Sequence, residues 1–159
     1  GHYPVETVTM MSKIIMQTEA FMKDEQEHGP PPLRINEARP LRFGDAIADS
    51  VAQLCYDVSA KAIACIASTG SSTVTLSSAR PDAPLLAISA DKMVCRRMNL
   101  YWGVVPVFSE ETGHINPNRL AREQILLTGL AHANDNIILV RGFHKDKAIN
   151  SPTITVLTL

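Results

Sequence analysis

A run of six residues in the middle of the chain combines hydroxyl groups with a single glycine. It follows a short uncharged apolar run, residues 62–67, and precedes a helix-compatible stretch that reaches residue 80. A helix that begins in such a turn offers unpaired backbone N–H groups beside the hydroxyls, which suits an anion such as phosphate. The alternative is an ordinary strand–helix connection whose hydroxyls only cap the helix. The candidate phosphate-binding residues are Ser68, Thr69, Gly70, Ser71, Ser72 and Thr73.

The residue types and their spacing give little support for nucleotide binding, reactive cysteines or metal binding. No GxGxxG or Walker sequence accompanies the turn, so we do not expect it to bind a dinucleotide or ATP. Cys55, Cys65 and Cys95 are widely spaced and form no CxxC motif, which is typical of buried thiols in a reducing compartment. The five histidines are scattered, without the spacing of a metal-binding helix. We therefore expect neither a metal site nor a resident cofactor.

The composition restricts the class of protein and its partners. A chain of 159 residues with 45% hydrophobic and 5% aromatic residues fits one domain with an aliphatic core, with room for an appended segment. The formal charge of −1 argues against a nucleic-acid partner and against docking on an acidic membrane. No apolar run approaches the roughly 20 residues of a membrane span. The N-terminus lacks a signal-peptide pattern, so the sequence predicts a cytoplasmic protein.

Apolar runs alternate with helical patterns from residue 44 onwards. The unit that carries the candidate turn reads as strand, turn, helix and strand, which is one βαβ unit of a parallel sheet. The last run keeps a threonine on each face, as suits an antiparallel edge. The sequence therefore predicts an α/β fold: a three-layer α/β/α sandwich whose five-stranded, mostly parallel mixed sheet has an antiparallel edge strand. Strands are expected at 62–67, 85–88, 104–108, 136–140 and 154–159. Helices are expected at 45–58, from the end of the candidate turn to residue 80, at 91–98 and at 117–133.

Local signals predict where these helices begin and end. Asp45, Asp91 and Asn116 are the expected N-caps, the last of them followed by a proline at the first helical position. Asn134 is the expected C-cap of the helix over residues 117–133, because asparagine tolerates the left-handed conformation. Leu127 is expected to point inward from that helix.

The first part of the chain has a different character. Residues 1–23 predict a helix with two apolar stripes, Val5/Val8/Met11/Ile15 and Met10/Ile14/Phe21. Residues 24–40 are polar, contain three consecutive prolines and show no periodicity, so they predict a linker. We therefore divide the chain into residues 1–40, a terminal helix plus a proline-rich linker, and residues 41–159, the α/β domain.

Four stretches of the sequence resemble the motifs of one known family. Residues 1–11, GHYPVETVTMM, are similar to its last barrel-helix segment, G-x-Y-P-x-E-x-V-x-x-M, and residues 45–54, DAIADSVAQL, resemble the first helix of its C-terminal domain. Residues 60–89, AKAIACIASTGSSTVTLSSARPDAPLLAIS, are similar to its effector-loop unit, and residues 98–107, MNLYWGVVPV, to its phrase (L)-x-L-x-x-G-V-x-P. The family is pyruvate kinase, and the resemblance is to its C-terminal allosteric domain, preceded by the last helix of its barrel domain.

The resemblance implies where the chemistry lies. In pyruvate kinase, phosphoryl transfer from phosphoenolpyruvate to ADP takes place in a (β/α)₈ barrel that binds Mg²⁺ and K⁺. This chain would contain the final helix of that barrel, so we expect no catalytic residue and no metal site here, and we expect the Mg²⁺ and K⁺ ions in the barrel domain. Phosphoryl transfer needs such metal ions. The resemblance thus implies part of a glycolytic kinase that is inert by itself.

The resemblance also implies a regulatory and assembly role. In the family this domain binds phosphorylated effectors and contacts other subunits, so we expect a phosphorylated small-molecule effector and a homo-oligomer, either a dimer or a tetramer. By position the effector loop is residues 68–73, and Lys145 and Lys147 of a second loop could add charge; the alternative is that both lysines are simply solvated. The open alternative for the whole chain is a stand-alone phosphate-binding or oligomerisation module without a barrel.

The effector loop departs from the family pattern at two positions. Members that bind a sugar bisphosphate usually begin this loop with threonine and carry a basic residue after the glycine. Here those positions hold Ala67 and Ser71. One hydroxyl and one positive charge are therefore missing, which favours a phosphate site of modest affinity over a tight bisphosphate site.

Overall fold

The computed structural model describes residues 2–26, 41–144, 146 and 148–159. It divides the chain into two units, Gly1–Pro32 and Leu33–Leu159. Residues 27–40 of the predicted linker lie outside the described residues, as do Lys145 and Lys147.

Helix α1, Pro4–Gln26, is the described element of the first unit. It confirms the helix predicted over residues 1–23 and continues into the first residues of the predicted linker. Val5 and Val8 from one predicted stripe and Ile14 and Phe21 from the other are each more than half exposed. Taken by itself, α1 therefore buries neither apolar stripe.

The second unit is built on one five-stranded sheet with the order β3-β2-β1-β4-β5. Four neighbouring strands are parallel, and β5 pairs antiparallel with β4 at the edge. This confirms the predicted mixed sheet and its antiparallel edge strand. The strands are β1 Ala62–Ile66, β2 Leu85–Ser89, β3 Val104–Phe108, β4 Asn136–Arg141 and β5 Thr153–Thr158.

Helices cover both faces of this sheet. They are α2 Phe43–Asp57, α3 Ser71–Ser78, α4 Lys92–Met98 and α5 Pro117–Thr128. Alternate residues of β1 point to opposite faces, so Ile63 and Cys65 pack in one core cluster with α2, α3 and α4, whereas Ala62 and Ala64 pack in the other with α5. The three-layer α/β/α sandwich is therefore confirmed. A strand buried on both faces has no position for a charge, which explains its uncharged sequence.

Two of the predicted helix caps are confirmed. The Asp91 carboxylate accepts hydrogen bonds from the N–H groups of Met93, at 2.7 Å, and Val94, at 3.3 Å, at the start of α4. The Asn116 side chain accepts from the N–H group of Asn118 at 2.9 Å, ahead of α5. In both places the capping side chain and its partner are local in sequence, so the sequence could specify the contact.

The predictions for Asp45, Asn134 and Leu127 were wrong. Helix α2 already begins at Phe43, after an Arg42 N-cap with no side-chain cap bond, so Asp45 lies inside its first turn. Helix α5 ends at Thr128, because Gly129 takes the left-handed conformation at φ 68°, five residues before Asn134. Leu127 is 78% exposed.

Candidate anion site at the start of α3

The candidate turn joins β1 to α3 at the carboxyl end of a central strand. Gly70 is the N-cap of α3 and has φ 83°, in the left-handed region. A Cβ at this position would meet Met98 Cγ at 3.4 Å and Val94 Cγ1 at 3.5 Å. Gly70 thus combines a backbone conformation that favours glycine with a close approach to α4. The turn is consequently held against α4.

Three of the predicted side chains face solvent. Ser68, Thr69 and Ser71 are exposed, and the hydroxyls of Thr69 and Ser71 lie 3.0 Å apart. Each hydroxyl can donate to a ligand oxygen. These three residues therefore form the accessible part of the candidate site.

The side chains of Ser72 and Thr73 face the core instead. Ser72 is 6% exposed and Thr73 is fully buried. The Cys65 thiol donates to Ser72 Oγ at 3.5 Å, and Thr73 Oγ1 donates to the same sulfur at 3.9 Å. Burial raises the pKa of Cys65, so its sulfur stays protonated as a donor. The hydroxyls of Ser72 and Thr73 are thus used inside the protein, and these two residues can offer a ligand their backbone N–H groups.

The first turn of α3 leaves backbone donors available. Val74 is the first residue whose N–H group bonds back to the turn, to the carbonyl of Gly70 at 3.1 Å. The N–H groups of Ser71, Ser72 and Thr73 precede it, and the glycine N-cap makes no side-chain bond to them. The start of a helix has unsatisfied donors and a partial positive charge. This arrangement favours an anion beside Ser71.

Arg97 of α4 supplies a positive charge that the sequence pattern did not indicate. Its Nη2 donates to the carbonyl oxygen of Thr69 at 3.3 Å, which places the guanidinium beside the turn. A topological signal existed, because β2 neighbours β1 in parallel and the segment after it leaves from the same edge of the sheet. The distance of 28 residues between Arg97 and Thr69 hid this contact from local motifs.

The second predicted loop leaves the sheet at the same edge. It follows β4, which is parallel to β1 and adjacent to it. Its base is narrow: the Ser151 N–H group donates to the Gly142 carbonyl at 3.1 Å, and a Cβ on Gly142 would collide with the Ser151 carbonyl. Because Lys145 and Lys147 are outside the described residues, their contribution to the site stays a prediction.

A groove of about 620 Å³ lies elsewhere, beside α2. Its lining includes Leu41, Leu54 and Ile154, together with the carboxylates of Asp49 and Asp57. Negative side chains repel a phosphate, so the groove does not compete with the turn as an anion site.

Two further properties of the described residues bear on other functions. No group of three or more His, Cys, Asp or Glu side chains there is arranged to hold a metal ion. In the same part of the chain, no helix combines the length and the apolarity needed to cross a membrane.

The fold and the turn together define an open α/β domain whose candidate ligand site lies at the carboxyl ends of its parallel strands. A family model described as "Pyruvate kinase, alpha/beta domain" matches residues 45–157. The chain therefore belongs to the pyruvate kinase family and carries its C-terminal alpha/beta domain, as the sequence motifs indicated.

Individual relatives agree with this assignment. Two pyruvate kinases from Agrobacterium vitis are 31% and 33% identical over 145 and 147 residues, in each case over 90% of this chain. The chain spans about 30% of the length of these relatives. The solved structure "Cryptosporidium parvum pyruvate kinase in complex with ADP" has a TM-score of 0.65 at 23% identity, over 77% of this chain and 25% of its own, and it supports the fold.

Proposed function

We propose that this chain is a regulatory and subunit-assembly domain of pyruvate kinase that binds a phosphorylated small-molecule effector at the start of α3. The observation that carries the proposal is the first turn of α3, which has no side-chain cap, together with the exposed hydroxyls of Thr69 and Ser71 and the Arg97 guanidinium bound to the Thr69 carbonyl. Backbone N–H groups, hydroxyls and a cation therefore lie along the same short turn, and these are the groups that bind a phosphate dianion.

The proposed effector is a monophosphate rather than a sugar bisphosphate. One guanidinium and a helix N-terminus neutralise a dianion only in part. Ala67 and Ser71 also lack the hydroxyl and the positive charge that are usual in the bisphosphate-binding members. Lys145 and Lys147 are proposed as further charges from the second loop. Because most of this electrostatic attraction acts at an exposed site, binding is expected to weaken with salt.

Calorimetry of the chain with ribose 5-phosphate, AMP and fructose 1,6-bisphosphate tests this proposal. We expect a monophosphate to bind with modest affinity. Arg97→Ala should weaken that binding roughly tenfold or more, because hydrogen bonds to charged groups are the strong ones. Thr69→Glu should abolish it through like-charge repulsion. The matched control is Arg96→Ala, which removes the neighbouring exposed guanidinium, whose hydrogen bond is to the sulfur of Met93. Tight bisphosphate binding that Arg97→Ala and Thr69→Glu leave unchanged would place the site in another loop.

The proposed assembly surface is the edge of β5. This strand reads TITVLT, without a proline or a charge, and Val156 is 44% exposed. At its end, Arg122 Nε donates to the Thr158 carbonyl at 3.1 Å and so occupies one backbone acceptor. The opposite edge strand, β3, has Pro106 in its middle, which removes a backbone donor. An edge strand without a proline or a charge can pair with another chain. We therefore propose a homo-oligomer, a dimer or a tetramer, in which β5 strands meet.

Analytical ultracentrifugation tests the assembly surface. Val156→Lys places a charge on the β5 edge and should shift the chain towards monomers. Val74→Lys is the matched control, because Val74 on α3 is similarly exposed, at 41%. An oligomer that survives Val156→Lys as well as it survives the control would show that subunits meet elsewhere.

We further propose that α1 is the terminal helix of a barrel domain and that the reaction belongs to that barrel, with its Mg²⁺ and K⁺. Phosphoryl transfer depends on metal ions and a charge-neutralising clamp. The 159 residues by themselves should consequently form no pyruvate from phosphoenolpyruvate and ADP. Turnover above background in a coupled assay, with host enzyme excluded, would contradict this.

A further inference from the structure

Helix α4 presents an exposed face that mixes basic and apolar side chains. Met93, Arg96 and Arg97 recur at the helical spacing that places them on one side, and all three are exposed. Met93 is 65% exposed, and Leu100, just beyond the end of the helix, is 83% exposed. On the opposite side, Val94, Cys95 and Met98 anchor the helix in the core. Because the opposite side of α4 is buried, the fold holds this face towards the solvent.

The charge on this face has one sign. Residues 92–102 carry three cations, Lys92, Arg96 and Arg97, and no acidic residue, although the chain as a whole has a formal charge of −1. Among the described residues, none of the three forms an ion pair. The Lys92 ammonium instead lies 4.7 Å from the centre of the Phe108 ring, and the Arg96 guanidinium contacts the Met93 sulfur at 3.7 Å. The positive charge is thus available to a partner.

Trp102 lies next along the chain and is, like Met93 and the arginines, of a residue type that is common at protein interfaces. It is 40% exposed, and the Arg80 guanidinium lies 5.2 Å from the centre of its ring. The Trp102 carbonyl accepts a hydrogen bond from the buried Ser77 hydroxyl at 2.7 Å, which fixes its backbone. Met, Trp and Arg are enriched at protein interfaces, and Trp and Arg at their hot spots.

We propose that this α4 face, defined by Lys92, Met93, Arg96, Arg97, Leu100 and Trp102, docks an acidic segment of a partner protein that also carries apolar side chains. The cations match the acids, and Met93 and Leu100 give apolar side chains a place to pack on either side of the arginines. A nucleic acid would need more cations than this face offers to gain much from counterion release. A bare phosphate would leave the apolar side chains unused.

Fluorescence anisotropy with a labelled synthetic peptide of alternating Glu and Leu tests the proposal on the full chain. We expect the peptide to bind and its affinity to fall with salt. Arg96→Glu should weaken binding by about fivefold or more, since a charge pair becomes a like-charge contact. Leu100→Ser should weaken it in both low and high salt. Arg119→Glu and Leu127→Ser are the matched controls on α5, which covers the opposite face of the sheet, and they should leave binding unchanged.

The outcomes separate this surface from the anion site. Arg97 belongs to both proposed sites, whereas Arg96 and Leu100 belong to the α4 face alone. Inorganic phosphate should therefore displace the peptide only in part, and Arg96→Ala should weaken peptide binding while it leaves phosphate binding unchanged. The proposal is overturned if the Glu–Leu peptide does not bind, if a Lys–Leu peptide binds equally well, or if the α4 variants behave like the α5 controls. It is also overturned if single-stranded DNA or anionic phospholipid vesicles bind the α4 face more tightly than the peptide.

Discussion

At the scale of single residues, the hydroxyl groups of the candidate turn point in two directions, outward to solvent and inward to the core. Thr69 and Ser71 point outward, whereas Ser72 and Thr73 surround the thiol of Cys65. The inward pair ties the first turn of α3 to the central strand β1, because a buried hydroxyl must find a partner inside the protein. The same segment therefore provides both a support and an exposed binding surface.

The first prediction concerns Gly70→Ala. An alanine in the left-handed conformation is strained by about 1–2 kcal/mol. Its Cβ would lie at ordinary van der Waals distance from Met98 Cγ, 3.4 Å, and Val94 Cγ1, 3.5 Å, so the strain comes from the backbone. Gly103→Ala is the control, since Gly103 has φ 65° but nothing within 4 Å of an added Cβ. In urea unfolding, both variants should lose a similar amount of stability. A clearly larger loss in Gly70→Ala would mean that the packing against α4 does not accept the methyl group.

At the scale of elements, the helices differ in whether a side chain caps their first turn with hydrogen bonds. Asp91 caps α4 with two hydrogen bonds, whereas the N-cap of α2, Arg42, makes none. The seven residues of α4 include four residues of the proposed docking face, so the cap supports that face. They are Lys92, Met93, Arg96 and Arg97, and Arg97 also belongs to the proposed phosphate site.

The second prediction compares these two caps. Asp91→Ala should lower the free energy of unfolding by about 1 kcal/mol, because the N–H groups of Met93 and Val94 lose their acceptor. Arg42→Ala should change it little, since no side-chain cap bond is lost there. Asp91→Asn should restore most of the loss, because an amide oxygen can also cap. If Asp91→Ala matched Arg42→Ala in urea unfolding, α4 would be held by its buried face alone.

At the scale of the whole molecule, all three cysteines are buried thiols in the two-layered core around the sheet. Burial raises the pKa of Cys55 from 9.0 to about 11 and also raises the pKa values of Cys65 and Cys95. The folded state therefore holds these protons more tightly than the unfolded state does.

The third prediction follows from that difference in pKa. The stability that the protonated Cys55 contributes is complete below pH 9.0 and is lost as the pH rises towards about 11. Urea unfolding across this range should show a falling free energy of unfolding, and the fall should be shallower in Cys55→Ala. An equally steep fall in both proteins would assign the alkaline loss to other groups.

The sequence by itself determined the layers of the fold. A strand that is covered on both faces cannot carry charges, so uncharged apolar runs such as residues 62–67 marked the central strands. The caps Asp91 and Asn116 could likewise be predicted, because their partners lie two or three residues away. Family motifs added the assignment to pyruvate kinase, which the family model confirmed over residues 45–157.

The tertiary structure decided the features that depend on distant contacts. A turn sequence does not state which hydroxyl faces the core, so it does not distinguish Ser72 from Thr69; the contacts of Ser72 and Thr73 with Cys65 do. The contact from Arg97 to the Thr69 carbonyl spans 28 residues and exists because parallel neighbours β1 and β2 release their following segments at one edge. Local patterns specify elements through near neighbours, whereas a binding site is assembled by packing between elements.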